Sequence, residues 1–87
     1  MSYLYVTKYS FDPDKPVHGP FATEDEAWAA MEVDADTEYH IDTKENEWDA
    51  RIFKNKDAGE ITIVNYFVSH QDTTEYFVIE INNTKLM

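Results

Sequence analysis

The sequence predicts an α+β domain: a single helix packed on a mostly antiparallel five-stranded sheet, in the order β-α-β-β-β-β. Three observations carry this. Residues 3–9 alternate with period two, a capped amphipathic segment begins at Thr23, and the second half of the chain is a series of β-branched and aromatic runs separated by turn residues. Composition agrees, since thirteen aromatics and 43% hydrophobic content in 87 residues suffice for one small core.

In the first predicted strand Tyr3, Tyr5, Thr7 and Tyr9 share one face, and Leu4, Val6 and Lys8 the other. Residues 10–20 contain Pro13, Pro16, Pro20 and Gly19 with Asp12 and Asp14, so this stretch reads as an irregular connection. Thr23-Glu24-Asp25-Glu26 has the form of a capping box, which starts a helix whose inward stripe is Ala27, Trp28, Ala30 and Met31. That helix is expected to end between Val33 and Asp36.

Glu38–Lys44 alternates again, with Tyr39, Ile41 and Thr43 opposed to His40 and Asp42, and reads as a second strand. Glu47–Lys54 and Glu60–Val68 form the expected hairpin, with Gly59 in the left-handed position of its turn. Ser69–Asp72 turns into the last strand, Thr73–Ile81, with Phe77, Ile79 and Ile81 expected inward and Tyr76 and Glu80 outward. One domain over residues 1–83 with a frayed tail at 84–87 is the expected organisation.

Charge is the main functional clue. Eleven of the eighteen acids lie between Glu24 and Asp49 with one base, Lys44, so this stretch carries −10 of the total −11. Scattered acids keep a protein soluble, whereas a contiguous block selects cationic partners. Seven bases against eighteen acids exclude direct nucleic-acid binding by phosphate neutralisation. The exposed aromatic faces that Tyr3, Tyr5 and Tyr76 could offer for base stacking would lack the cations such surfaces need.

Catalytic and metal chemistry find little support. Asp34, Asp36, Glu38, Asp42 and Glu45 have the oxygen spacing of a calcium loop, but Tyr39 occupies the position where that loop needs glycine. Ser69, His70 and Asp72 read as turn chemistry, since the members of a triad normally come from separate elements and neighbours in one turn do not usually line up. His18, His40 and His70 have no ligand spacing, and there is no cysteine. No enzyme activity, metal or cofactor is therefore expected. The absence of cysteine fits a reducing compartment, and with no apolar leader or membrane-length segment the expected location is cytoplasmic.

A small, cysteine-free, strongly acidic α+β domain resembles the DNA-mimic inhibitors of phages and mobile elements, including some anti-CRISPR proteins. Gly19-Pro-Phe-Ala-Thr-Glu-Asp-Glu-Ala27 is similar to the helix start of many small bacterial and phage proteins. The resemblance implies a partner with a basic surface, a nucleic-acid-binding factor above all, and no membrane or direct nucleic-acid contact.

On that reading Glu24, Asp25, Glu32, Asp34, Asp36, Glu38, Asp42, Glu45 and Glu47 stand in for phosphates. Trp48 and Tyr39 would be apolar anchors if they are exposed. Glu24, Asp25 and Glu26 also have a local role at the helix N-terminus, so the acids from Glu32 onward carry the functional expectation. The alternatives are a structural adaptor or homo-oligomer using an aromatic sheet face or open edge, and a divalent-cation-binding domain.

Overall fold

The computed structural model describes residues 2–81; the tail expected at 84–87 lies outside the described residues. One helix lies on a five-stranded antiparallel sheet, as the fold class requires. The strands are β1 (Ser2–Tyr9), β2 (Val17–Phe21), β3 (Asp49–Asn55), β4 (Glu60–Tyr66) and β5 (Gln71–Ile81), and the helix α1 is Glu24–His40. Their order across the sheet is β2-β1-β5-β4-β3. The chain thus runs β-β-α-β-β-β, and α1 carries it from the edge at β2 to the opposite edge at β3.

Two elements differ from expectation, each for a physical reason. β2 falls inside the stretch read as irregular because it contains Gly19 and Pro20, residues a sheet accepts only at an edge or a bulge. It has both. β2 pairs only with β1, and the register slips between Tyr3 and Tyr5, opposite Gly19. Gly19 has φ of +131°, and a Cβ there would lie 2.8 Å from the Leu4 side chain.

The strand expected over Glu38–Lys44 is instead the end of α1 and a π-helical turn, Ile41–Glu45. A helix nucleated at Thr23 propagates cooperatively through residues whose alternation is equally compatible with helix. Thr23 Oγ1 accepts the Glu26 amide at 3.1 Å. Further on, Thr37 and Thr43 satisfy their hydroxyls by donating to the carbonyls of Val33 and Tyr39, both at 2.8 Å. The end has no glycine. The Asn46 amide reaches the Ile41 carbonyl at 2.9 Å, Glu47 takes φ of 56°, and the Trp48 amide donates to the Asp42 carbonyl at 2.8 Å.

The hairpin from β3 to β4 forms as expected, with Gly59 at φ +67° and its amide donating to the Lys56 carbonyl at 3.0 Å. The core lies between α1 and one sheet face. Trp28, Met31 and Ala35 pack on Tyr5, Ile61, Ile63 and Tyr76. This reverses the facing expected for β5. Tyr76 is 2% exposed and Ile79 44% exposed. Tyr76 lies in register with Ile61 on one side and Thr7 on the other, so the phase of β4 and β1 determines which side of β5 the helix covers. Tyr5 is likewise core, and neither tyrosine is available for base stacking.

Candidate functional site

The acidic segment is one continuous helical rod from Glu24 to Glu45, and its geometry sorts the nine candidate carboxylates into three groups. A helix advances 100° per residue, so acids spaced irregularly along α1 cannot all face one partner. Glu24 and Asp25, in the first turn, and Glu45 and Glu47, at the far end, are exposed. Glu26 is exposed beside the first pair.

Glu32 and Asp36, one turn apart, form the second group. Both hold Lys54 of β3, whose Nζ lies 3.1 Å from Glu32 and 2.9 Å from Asp36. The hydrogen bond to Asp36 is the main cause of a raised Lys54 pKa, so the ammonium is held charged. This cation neutralises part of the field that the charge count implied. Asp36 keeps about half of its side-chain surface in solvent, at 54%.

Asp34, Glu38 and Asp42 recur every fourth residue and turn toward the sheet, which corrects their assignment to an outward array. The Tyr5 hydroxyl donates to Asp34 Oδ2 at 3.0 Å, and His18 Nε2 stands 4.0 Å from the same oxygen. Burial, reinforced by this bond to Asp34, pushes the Tyr5 hydroxyl up to about 12. Tyr76 and Tyr9 are raised as well, first by burial and then by the nearby carboxylates. Asp42 is only 3% exposed and accepts from Asn65 Nδ2 at 3.0 Å. Such a carboxylate belongs to the interior and cannot meet a partner.

Glu38 is half-buried between these two acids. Burial, then the charges of Asp42 and Asp34, raise its pKa above the ordinary carboxylate value. A carboxyl raised in the folded state contributes stability that is fully present below its unfolded pKa and is lost as pH rises through the folded one. Glu38→Gln is therefore expected to raise Tm at pH 7 by roughly 2–4 °C, the shift that about half a kcal/mol produces in a domain this size. The gain should vanish near pH 4, and thermal melts followed by circular dichroism at the two pH values check both halves.

The two apolar anchors separate. Trp48 is 43% exposed and lies edge-on to Phe67, with ring centroids 5.2 Å apart, so it remains available to a partner. Tyr39 packs against the core, which removes it as an anchor. In its place the helix presents Val33, 67% exposed, in a shallow hollow lined also by Thr37, Ile41, His40, Asp36 and Glu45. An unpaired apolar residue on the outer face of a predicted helix is the signal that identifies it, and ending the helix near Val33 hid that face.

The calcium-loop spacing from Asp34 to Glu45 is overturned, because those residues are helical and do not form the loop that would wrap its oxygens around an ion. No cluster of three metal-binding side chains exists among the described residues, and no described helix is long and apolar enough to cross a membrane. Comparison with known proteins adds no relative: no family model, no curated protein and no solved structure matches the chain.

Proposed function

We propose that this chain is a non-enzymatic protein-binding domain whose outer helical surface engages a basic surface on its partner. The observation that supports the reading is the solvent-facing set Glu24, Asp25, Asp36, Glu45 and Glu47, with Val33 and Trp48 as apolar contacts within the same layer. Exposed apolar residues framed by like charges are the composition of a docking surface with electrostatic selectivity. The charges steer and select, and the apolar residues supply affinity.

The sharpest version is a partner that itself binds nucleic acid, so that occupying its phosphate-binding surface inhibits it. The spacing bears on that version. From Glu24 to Glu45 the rod advances about 31 Å, so these carboxylates are sparser than the one phosphate per ~3.4 Å of a single DNA strand. They suit a basic patch that reads a few phosphates better than a channel that tracks a long duplex.

The test is affinity capture from bacterial lysate on immobilised wild-type chain at low and high salt, with retained proteins identified by mass spectrometry. A basic, nucleic-acid-binding protein retained at low salt and released as salt rises is the expected result. Its release by added duplex would extend the result to inhibition by competition. If no basic protein is retained at low salt, the proposal fails.

A further inference from the structure

Among the described residues no layer covers the second face of the sheet, although it is rich in large apolar residues. α1 covers one side only. On the other side the registers align Val17 with Val6 and Phe77, Leu4 with Ile79, and Phe53 with Thr62 and Glu75. Phe53 is 56% exposed, Val17 59% and Ile79 44%. In the central strand β5 this side bears Phe77, Ile79 and Ile81, whereas the covered side bears Thr74, Tyr76 and Val78. Its more hydrophobic side is the one facing water, an arrangement that marks an association surface.

We infer that this face packs against the same face of a second copy, giving a two-fold dimer with the acidic helices outermost. Charge distribution selects the occupant. The open face carries Lys8 and Arg51 against Asp49, Glu60 and Glu75, a balance of −1 in a chain of −11. A second copy is repelled by every approach that brings the acidic layers together. This face is close to charge balance and carries both signs for self-complementary pairing at its rim.

Packed sheets lie about 10 Å apart and each helix adds a layer of about 10 Å, so the acidic surfaces end up about 30 Å apart, beyond the ~8 Å screening length at physiological salt. The area is also of the right order. Five strands spaced by about 4.8 Å and seven residues long present roughly 550 Å² in projection, which side-chain relief brings toward the ~800 Å² per partner of a stable interface.

The edges are poorer candidates. β2 is five residues long and contains Gly19 and Pro20, and β3 carries Asp49, Arg51 and Lys54 along its length. These are the devices that discourage edge pairing.

Sedimentation equilibrium on the purified chain, over a concentration series at low and high salt, tests the inference. The wild type is expected to dimerise, with affinity unchanged or increased by salt. Phe53→Glu and Ile79→Lys should each weaken the dimer by at least about thirty-fold while preserving the far-ultraviolet circular dichroism spectrum. Val33→Glu, on the opposite surface, should leave dimerisation intact. A wild type that stays monomeric, a dimer that survives both sheet-face substitutions, or one abolished by Val33→Glu overturns the inference. None of these results bears on capture of a basic partner by the helix layer.

Discussion

Met31→Ala is expected to destabilise the fold by about 2–5 kcal/mol, the range for truncating a fully buried methionine. Met31 is 0% exposed at the middle of α1, in the cluster formed with Trp28, Ala35, Tyr5, Ile61, Ile63 and Tyr76. It plugs the contact between the helix and the centre of the sheet. A domain of this size holds only about 5–10 kcal/mol in all, so the variant should lose up to half or more of its stability. Urea denaturation at pH 7 measures it. A loss below about 1 kcal/mol would mean that the helix does not seat on the sheet through Met31.

Asn65→Ala is expected to cost about 2 kcal/mol at pH 7, because it leaves the buried Asp42 carboxylate without the amide that donates to it. Both residues are nearly sealed, at 4% and 3% exposure. Asn65 Oδ1 has no hydrogen-bond partner among the described residues, so the pair is incompletely satisfied even in the wild type. Replacing both residues by leucine should return stability to within about 1 kcal/mol of wild type, since removing a buried polar pair costs less than orphaning one member. Equal losses in the single and double variants would show that Asn65 contributes by shape and not by its bond to Asp42. The same urea titration, run on all three proteins, separates these outcomes.

The fold class was legible because its carriers are local. Alternation from Tyr3 to Tyr9, the Thr23 cap and Gly59 each determine structure within a few residues. What failed depends on contacts distant in sequence. Whether Tyr76 or Phe77 faces the helix is decided by pairing with β1 and β4, and hydropathy alone picks the wrong side of β5. β2 was hidden because Gly19-Pro20 is tolerated at an edge that only the sheet order reveals. The helix was shortened because no glycine marks its end and Glu47 takes the left-handed conformation instead.

The candidate site was legible as a charge block but not as a surface. Counting acids could not reveal that Lys54 offsets one of the two charges of Glu32 and Asp36, or that Asp34, Glu38 and Asp42 turn toward the sheet. Both facts follow from the helix continuing where a strand was expected, because a four-residue repeat in a helix keeps Asp34, Glu38 and Asp42 on one side, and here that side is the one against the sheet. The outward set that survives is smaller, and it gains Val33 as its apolar centre.

Capture on a variant with that set neutralised tests the central claim most directly. Glu24→Gln, Asp25→Asn, Asp36→Asn, Glu45→Gln and Glu47→Gln together leave the sheet-facing acids and the core untouched, so the fold should persist by circular dichroism. At low salt, side by side with the wild type, the account predicts that the wild type retains a basic protein and the variant does not. Retention of the same protein by both, with the same dependence on salt, would contradict it.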